Sequence, residues 1–229
     1  MTNTIWAPTL EPLPGTTRLI GQSVELVPFA LPNPGEALCE VLAREPEDQW
    51  EFMTTDAPSS PEELKAHLSN SNALPDRQVM AILTRDHTPV GMASFLRIRP
   101  HDGSAELGSI LFSAQLQRTA AATEVIYLMA SHLFDTLGYR RCEWKTHGLN
   151  ERSRRAAIRL GFQPEGVFRQ DMWLKGKNRD THWYSIINSE WPLVKAAMEA
   201  WLAPGNFDSS GLQKRSLAEI REGLSARTL

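Results

Sequence analysis

At 229 residues, 41% hydrophobic and 22% charged, the chain has the composition of a water-soluble globular protein and enough length to bury a core. A formal net charge of −3 gives no overall electrostatic ground for a nucleic-acid or membrane partner. The two cysteines, Cys39 and Cys142, fit no metal-ligand spacing and read as small core residues of a reduced, cytoplasmic protein, with no metal expected.

The opening MTNTIWAPTLEPLPG lacks a basic stretch followed by an apolar run, so no signal peptide is expected. Its prolines read as an extended arm over residues 1–18. SVELVPFA (Ser23–Ala30) alternates like a strand, and PGEALCEVLARE like a helix with Leu38, Val41 and Leu42 on one face. A second helix starts at Ser60 as cap and Pro61 in the first turn, running to about Leu68. RQVMAILT and PVGMASFLRI predict a hairpin about RDHT, and Ala105–Phe112 a further strand. From near Arg118 a helix stripe of Val125, Leu128, Met129, Leu133 and Leu137 runs to Gly138. RRCEWKTH reads as a strand and NERSRRAAIRLGF as a helix closed by Gly161. EGVFRQDMWLK and THWYSIIN form a last hairpin about GKNRD, and two C-terminal helices follow. No apolar stretch reaches the ~20 residues of a membrane span. The order β-α-α-β-β-β-α-β-α-β-β predicts an α+β fold: a mixed, mostly antiparallel sheet covered by helices, as one domain over 19–203 with a helical tail over 204–229.

The junction LQRTAAATEV (Leu116–Val125) carries unusually small side chains. The first N–H groups of a helix have no internal partner and bear the positive end of its dipole, so an anion gains several hydrogen bonds there. Ala120, Ala121 and Ala122 would let a phosphate approach the backbone, with Arg118, Thr119 and Thr123 as added donors. On these residues alone, a well-packed helix start is the better reading.

LQRTAAATEV resembles the Q/R-x-x-G-x-G/A acyl-CoA-binding motif of the GNAT superfamily of N-acetyltransferases, with Gln117, Ala120 and Ala122 at its marked positions. AELGS, then LGYRRCEWKTHGLNERSRRAAIRLGFQPEGVFR, then KGKNRDTHWYSIINSEWP resemble, in order, segments of its RimJ/RimL-like branch. The similarity covers about residues 20–200. It implies the GNAT fold, helices on both faces of the sheet, and acetyl-CoA as cosubstrate. Gln117–Thr123 would then cradle the pyrophosphate, and the pantetheine would pair with the strand end at Leu111 and Phe112. Asn150 matches the family asparagine on the pantetheine arm, although an ordinary helix cap would also place an asparagine there. Glu106 stands where the superfamily often has its general base, and Ser153 is a candidate proton donor to the leaving thiolate. His147, at the end of a strand, is a second candidate base.

Two departures from the family pattern stand out. Ala120 replaces the first glycine, which is harmless if that residue is helical. Ala157 stands where the family often has a thiolate-protonating tyrosine. The acceptor wall would include Trp50 and Phe52 of WEFM, Arg97 and Trp173, with Phe95 and Tyr184 nearby; an arginine there favours an acceptor bearing a carboxylate or phosphate. The resemblance implies N-acetylation of a primary amine, on a small molecule, an aminoacyl compound or a protein N-terminus, by direct attack. The rival is a non-catalytic acyl-CoA-binding module. The C-terminal helices leave a homodimer open.

Overall fold

A computed structural model describes residues 13–226, and the chain divides into two compact units, Met1–Glu143 and Trp144–Leu229. The expected arm before residue 13 and the last three residues lie outside the described residues.

In the first unit, β1 (Leu19–Ile20), β2 (Val24–Pro28), α1 (Gly35–Leu42), α2 (Pro61–Asn72), β3 (Gln78–Thr84), β4 (Pro89–Arg99), β5 (Ser104–Phe112) and α3 (Ala120–Ser131) lead to β6 (Arg141–His147), which crosses the boundary. The strands lie in the order β1 to β6, antiparallel except for β5 and β6, which run parallel because α3 carries the chain back between them. The short β1 has no counterpart in the sequence reading: two residues give no periodicity to read.

Alternation along β3 separates Val79, Ala81 and Leu83 from Gln78, Met80 and Ile82. The first set packs with Val27, Met92 and Leu111 against Leu38, Cys39 and Leu42 of α1, Leu64 and Leu68 of α2, and Trp50. The other face carries α3, which packs on β1, β2 and β5. The predicted mixed sheet with helices on both faces is therefore present. Ser60 caps α2 by accepting the Glu63 N–H, and the helix runs past Leu68 to Asn72, whose Oδ1 accepts the Val79 N–H at 2.8 Å. On α3, buried Glu124 accepts the backbone N–H groups of Gln22 and Ser23 at 2.5 and 2.9 Å, tying the β1–β2 turn to the helix. A π-helical turn (His132–Thr136) ends this helix before Gly138 at φ 65°. Both cysteines are free and buried.

In the second unit, the rest of β6 leads to α4 (Glu151–Leu160), β7 (Gln163–Leu174), β8 (Lys177–Ile187), α5 (Trp191–Leu202) and α6 (Leu217–Ser225). The strand order is β6-β8-β7, with β7 on the edge. The hairpin turn is tighter than the GKNRD expectation: Leu174 pairs with Lys177 about Lys175 and Gly176, at φ 49° and 74°. Positive φ at both central residues matches the right-handed twist of the strands, and only the second of them is glycine. Gly161 closes α4 at φ 101°. The two C-terminal helices, α5 and α6, pack on each other within this chain.

Candidate active site

Glu106 on β5 and Glu143 on β6 are register partners, so their side chains share one face. Both are buried, at 5% and 2% exposure. Arg99 Nη2 and Arg141 Nε donate to Glu143 Oε1 at 2.6 and 2.8 Å. Burial pushes the Glu143 carboxyl up, but the Arg141 hydrogen bond and the charges of Arg99 and Arg141 outweigh it, and the net shift is downward. Arg97 Nε lies 3.8 Å from Glu143 Oε2 and 4.0 Å from Glu106 Oε2. Arg97 reaches both because β4 bulges between Leu96 and Arg99, with Arg97 at φ 47°. Three guanidinium groups thus meet two buried carboxylates, and Asp102 Oδ2, 3.8 Å from Arg99 Nε, supplies a third, so the formal charges balance.

Glu106 therefore belongs to a buried charge cluster. Gly108 makes room for it. A Cβ there would come within 2.7 Å of Leu96 Cδ1 and 3.0 Å of Glu106 Oε1. The E-L-G spacing follows from that, since residues i and i+2 share a face. Phe95 falls on the opposite face from Glu106: it pairs with Gln78 and Leu107 and packs against His132 with ring centroids 6.0 Å apart. One residue of strand register separates the acceptor neighbour expected of Phe95 from the core residue found.

Beyond Glu106 the strand changes character. The register of β5 with β6 runs from Ser104–Arg141 to Glu106–Glu143, while β5 itself continues to Phe112. Against β4 it bulges between the Met92–Leu111 and Ser94–Gly108 pairs, with Ser109 at φ 46°. A bulge takes backbone groups out of the ladder. Leu111 sends its side chain into the α1–α2 core, so only its backbone could meet a ligand.

The loop after β5 is closed from within. Gln117 Nε2 donates to the Phe112 carbonyl at 2.8 Å and to Gln49 Oε1 at 2.9 Å, and its N–H donates to the Ser113 carbonyl. Arg118 is exposed at φ 62°, the one left-handed step before the helix. Thr119 caps α3: its Oγ1 accepts the Ala122 N–H at 3.2 Å and donates to the Leu116 carbonyl at 2.7 Å. Ala120 is helical and lacks the positive φ that would demand glycine. The N–H groups of Ala120 and Ala121 open the helix, where no carbonyl of the helix itself can meet them. Thr123 is buried at 4%, so it is not a surface donor. Trp50, expected on the acceptor wall, is 1% exposed and packs in the α1–α2 core, whereas Phe52 is partly exposed.

In the second unit Asn150 is the α4 cap, its Oδ1 accepting the Ser153 N–H at 3.0 Å. Ser153 Oγ accepts the Trp144 indole N–H at 3.0 Å, which fixes its orientation. His147 Nδ1 accepts the Leu149 N–H, so that nitrogen serves a turn. Ala157 is fully buried, Tyr184 is 4% exposed, and Trp173 stands 71% exposed on β7.

A family model described as an acetyltransferase (GNAT) domain matches residues 26–163. The chain belongs to the GNAT acetyltransferase family. A GCN5-related N-acetyltransferase from Brucella melitensis is 38% identical, covers 95% of this chain and 99% of its own, and superposes with a TM-score of 0.89. A probable GNAT-family acetyltransferase from Chromobacterium violaceum is 32% identical over 82% of this chain and 94% of its own, with a TM-score of 0.77. The uncharacterised N-acetyltransferase YoaA of Bacillus subtilis is 35% identical over 98 residues, which are 43% of this chain and 55% of that protein. The chain thus spans about half the length of this relative.

Several residues of the candidate site escaped the sequence reading. Glu143, Arg99 and Arg141 require the β5–β6 register to be found, and their only local signal is a buried-strand alternation that places a glutamate between Cys142 and Trp144. Gln49 joins the loop through a contact 68 residues away in sequence. Among the described residues, no helix is long and apolar enough to cross a membrane, and no group of three or more His, Cys, Asp or Glu is placed to hold a metal ion.

Proposed function

We propose that the protein transfers an acetyl group from acetyl-CoA to a primary amine by direct attack, as a RimJ/RimL-like N-acetyltransferase. The observation that carries this reading is the sequence of features along one 17-residue path, Glu106 to Ala122. A buried carboxylate comes first, then a bulged strand edge, then a self-closed loop and the capped start of a 12-residue helix. The opening N–H groups of α3 and the Arg118 side chain suit the pyrophosphate of acetyl-CoA, and the small Ala120 and Ala121 side chains leave the backbone accessible. The β5 edge from Leu107 to Phe112 suits an extended amide-bearing arm, which pairs with it as an added strand would.

In the reaction the amine nitrogen attacks the thioester carbonyl carbon; a C–N bond forms and the C–S bond breaks. Glu106 takes the proton that the attacking amine must lose. The departing thiolate takes a proton from water or from Ser153 Oγ, whose acceptor side is occupied by Trp144. Neither cysteine suits an acyl-enzyme route: burial pushes the Cys39 thiol up to about 11 and raises Cys142 further, so both stay protonated near neutrality. The partly exposed Arg97 guanidinium favours an amine acceptor that also carries a carboxylate or phosphate.

The test is calorimetric titration with acetyl-CoA, followed by a free-thiol release assay against amines and peptides. Binding, with release of one thiol per amine acetylated, is the expected result. Binding with no release from any amine, and no effect of Glu106→Gln, would favour the acyl-CoA-binding module. No binding at all would overturn both readings.

A further inference from the structure

In the second unit β7 is the edge strand, and all eleven residues from Gln163 to Trp173 are exposed. Exposure on both faces of so long an edge leaves the apolar side chains of Val167, Phe168, Met172 and Trp173 at 45%, 56%, 39% and 71%. A long edge with apolar side chains is a template for another strand unless something covers it.

The strand has a defined centre. Between the Phe168–Thr181 and Met172–Arg179 pairs, Arg169, Gln170 and Asp171 face Asp180 alone, and the Gln170 N–H donates to Asp180 Oδ1 at 2.8 Å with Gln170 at φ 52°. This bulge splits β7 into two short arms about Gln170. Read outward from that residue, the two arms are complementary. Arg169 stands opposite Asp171 in sign, Phe168 matches Met172, and Val167 matches Trp173. Among the described residues neither Arg169 nor Asp171 forms an ion pair. Charges on an edge can serve to keep other strands away. Here, however, they occupy only the crest, and the arms on either side are apolar.

We propose that β7 is the contact through which two copies of the chain form a two-fold dimer, one β7 antiparallel to the other about Gln170. A two-fold axis at that residue brings Arg169 of each copy to Asp171 of the other, and each Phe168 to a Met172. The same symmetry covers Val167 and Trp173. A foreign partner would need no such self-complementarity, which is why a second copy is the occupant. The bulge fixes the register, since a slip of one residue would put the two crests out of line and reverse the faces.

The experiment is sedimentation and light scattering of the full chain over a wide concentration range. The wild type should dimerise. Arg169→Asp and Asp171→Arg should each weaken the dimer about a hundredfold, because each places like charges opposite one another twice. Mixing the two single variants, or combining both changes in one chain, should restore association, while Phe168→Ser with Trp173→Ser should abolish it. Thermal midpoints compared at concentrations where the wild type is also monomeric should be unchanged at such exposed positions, which separates loss of contact from loss of fold. A wild type monomeric throughout, a dimer indifferent to both charge swaps, or no rescue on mixing would each overturn the proposal. Capture of some other partner by a monomeric chain would do the same.

Discussion

Two neighbouring parts of the candidate site are built from opposite materials. The Glu106–Glu143 cluster is made of side-chain charges, buried and interlocked with Arg97, Arg99 and Arg141. The start of α3 is made of backbone, with alanines, a threonine cap and one left-handed arginine. The first should therefore respond to the loss of one charge, because the remaining charges are left without compensation. The second should respond to shape and capping, and little to the identity of its small residues.

The largest effect is expected at Glu143. Glu143→Gln should lower stability by about 3 kcal/mol near pH 7, since two guanidinium groups lose a buried partner. Its carboxyl is lowered in the folded state, so this contribution is present above the unfolded value and disappears as pH falls through the folded one. Thermal melts of wild type and variant should then converge in acid; a gap that persists there would place the damage in packing. Gly108→Ala comes next, at about 1 kcal/mol, because its Cβ would displace the end of the Leu96 side chain and crowd the Glu106 carboxylate. Unaltered stability and activity in that variant would show that the cluster yields more easily than its geometry implies.

The α3 start follows. Arg118→Ala with Thr119→Ala should weaken acetyl-CoA about tenfold by removing a charge and a helix cap. Ala120→Gly, which restores the commoner family residue, should leave acetyl-CoA affinity unchanged and cost about 0.5 kcal/mol of stability, as glycine does inside a helix. Tighter binding by that variant would break the contrast between the two regions, since it would mean that side-chain size at residue 120 limits approach.

Most of the element order could be read from periodicity: strands alternate, α3 shows its stripe, and Ser60, Gly138 and Gly161 mark helix ends. What stayed hidden has one physical character. Three positive-φ positions in and around the site, Arg97, Ser109 and Arg118, are not glycines, the residue that usually announces such a conformation. Two of them sit at bulges, and each bulge shifts which side chains share a face. That is why Arg97 lies beside Glu106 while Phe95, two residues away, is buried on the other side against His132. Glu143 was invisible for a related reason: Arg141 stands two residues before it on β6, but Arg97 and Arg99 come from β4 and Glu106 from β5, and only the tertiary register brings these together. The capped start of α3 at Thr119 and Ala120 was legible because that signal is local. Gln117 misled in part, since its side chain closes the loop instead of facing outward.

The most direct test of the account is the pH dependence of thiol release for wild type and Glu106→Gln with a saturating primary amine. If Glu106 takes the amine's proton, the variant should lose about a hundredfold at low pH and recover toward wild type as the amine deprotonates unaided. A loss of equal size at every pH would contradict the general-base assignment and leave Glu106 a structural member of the arginine cluster.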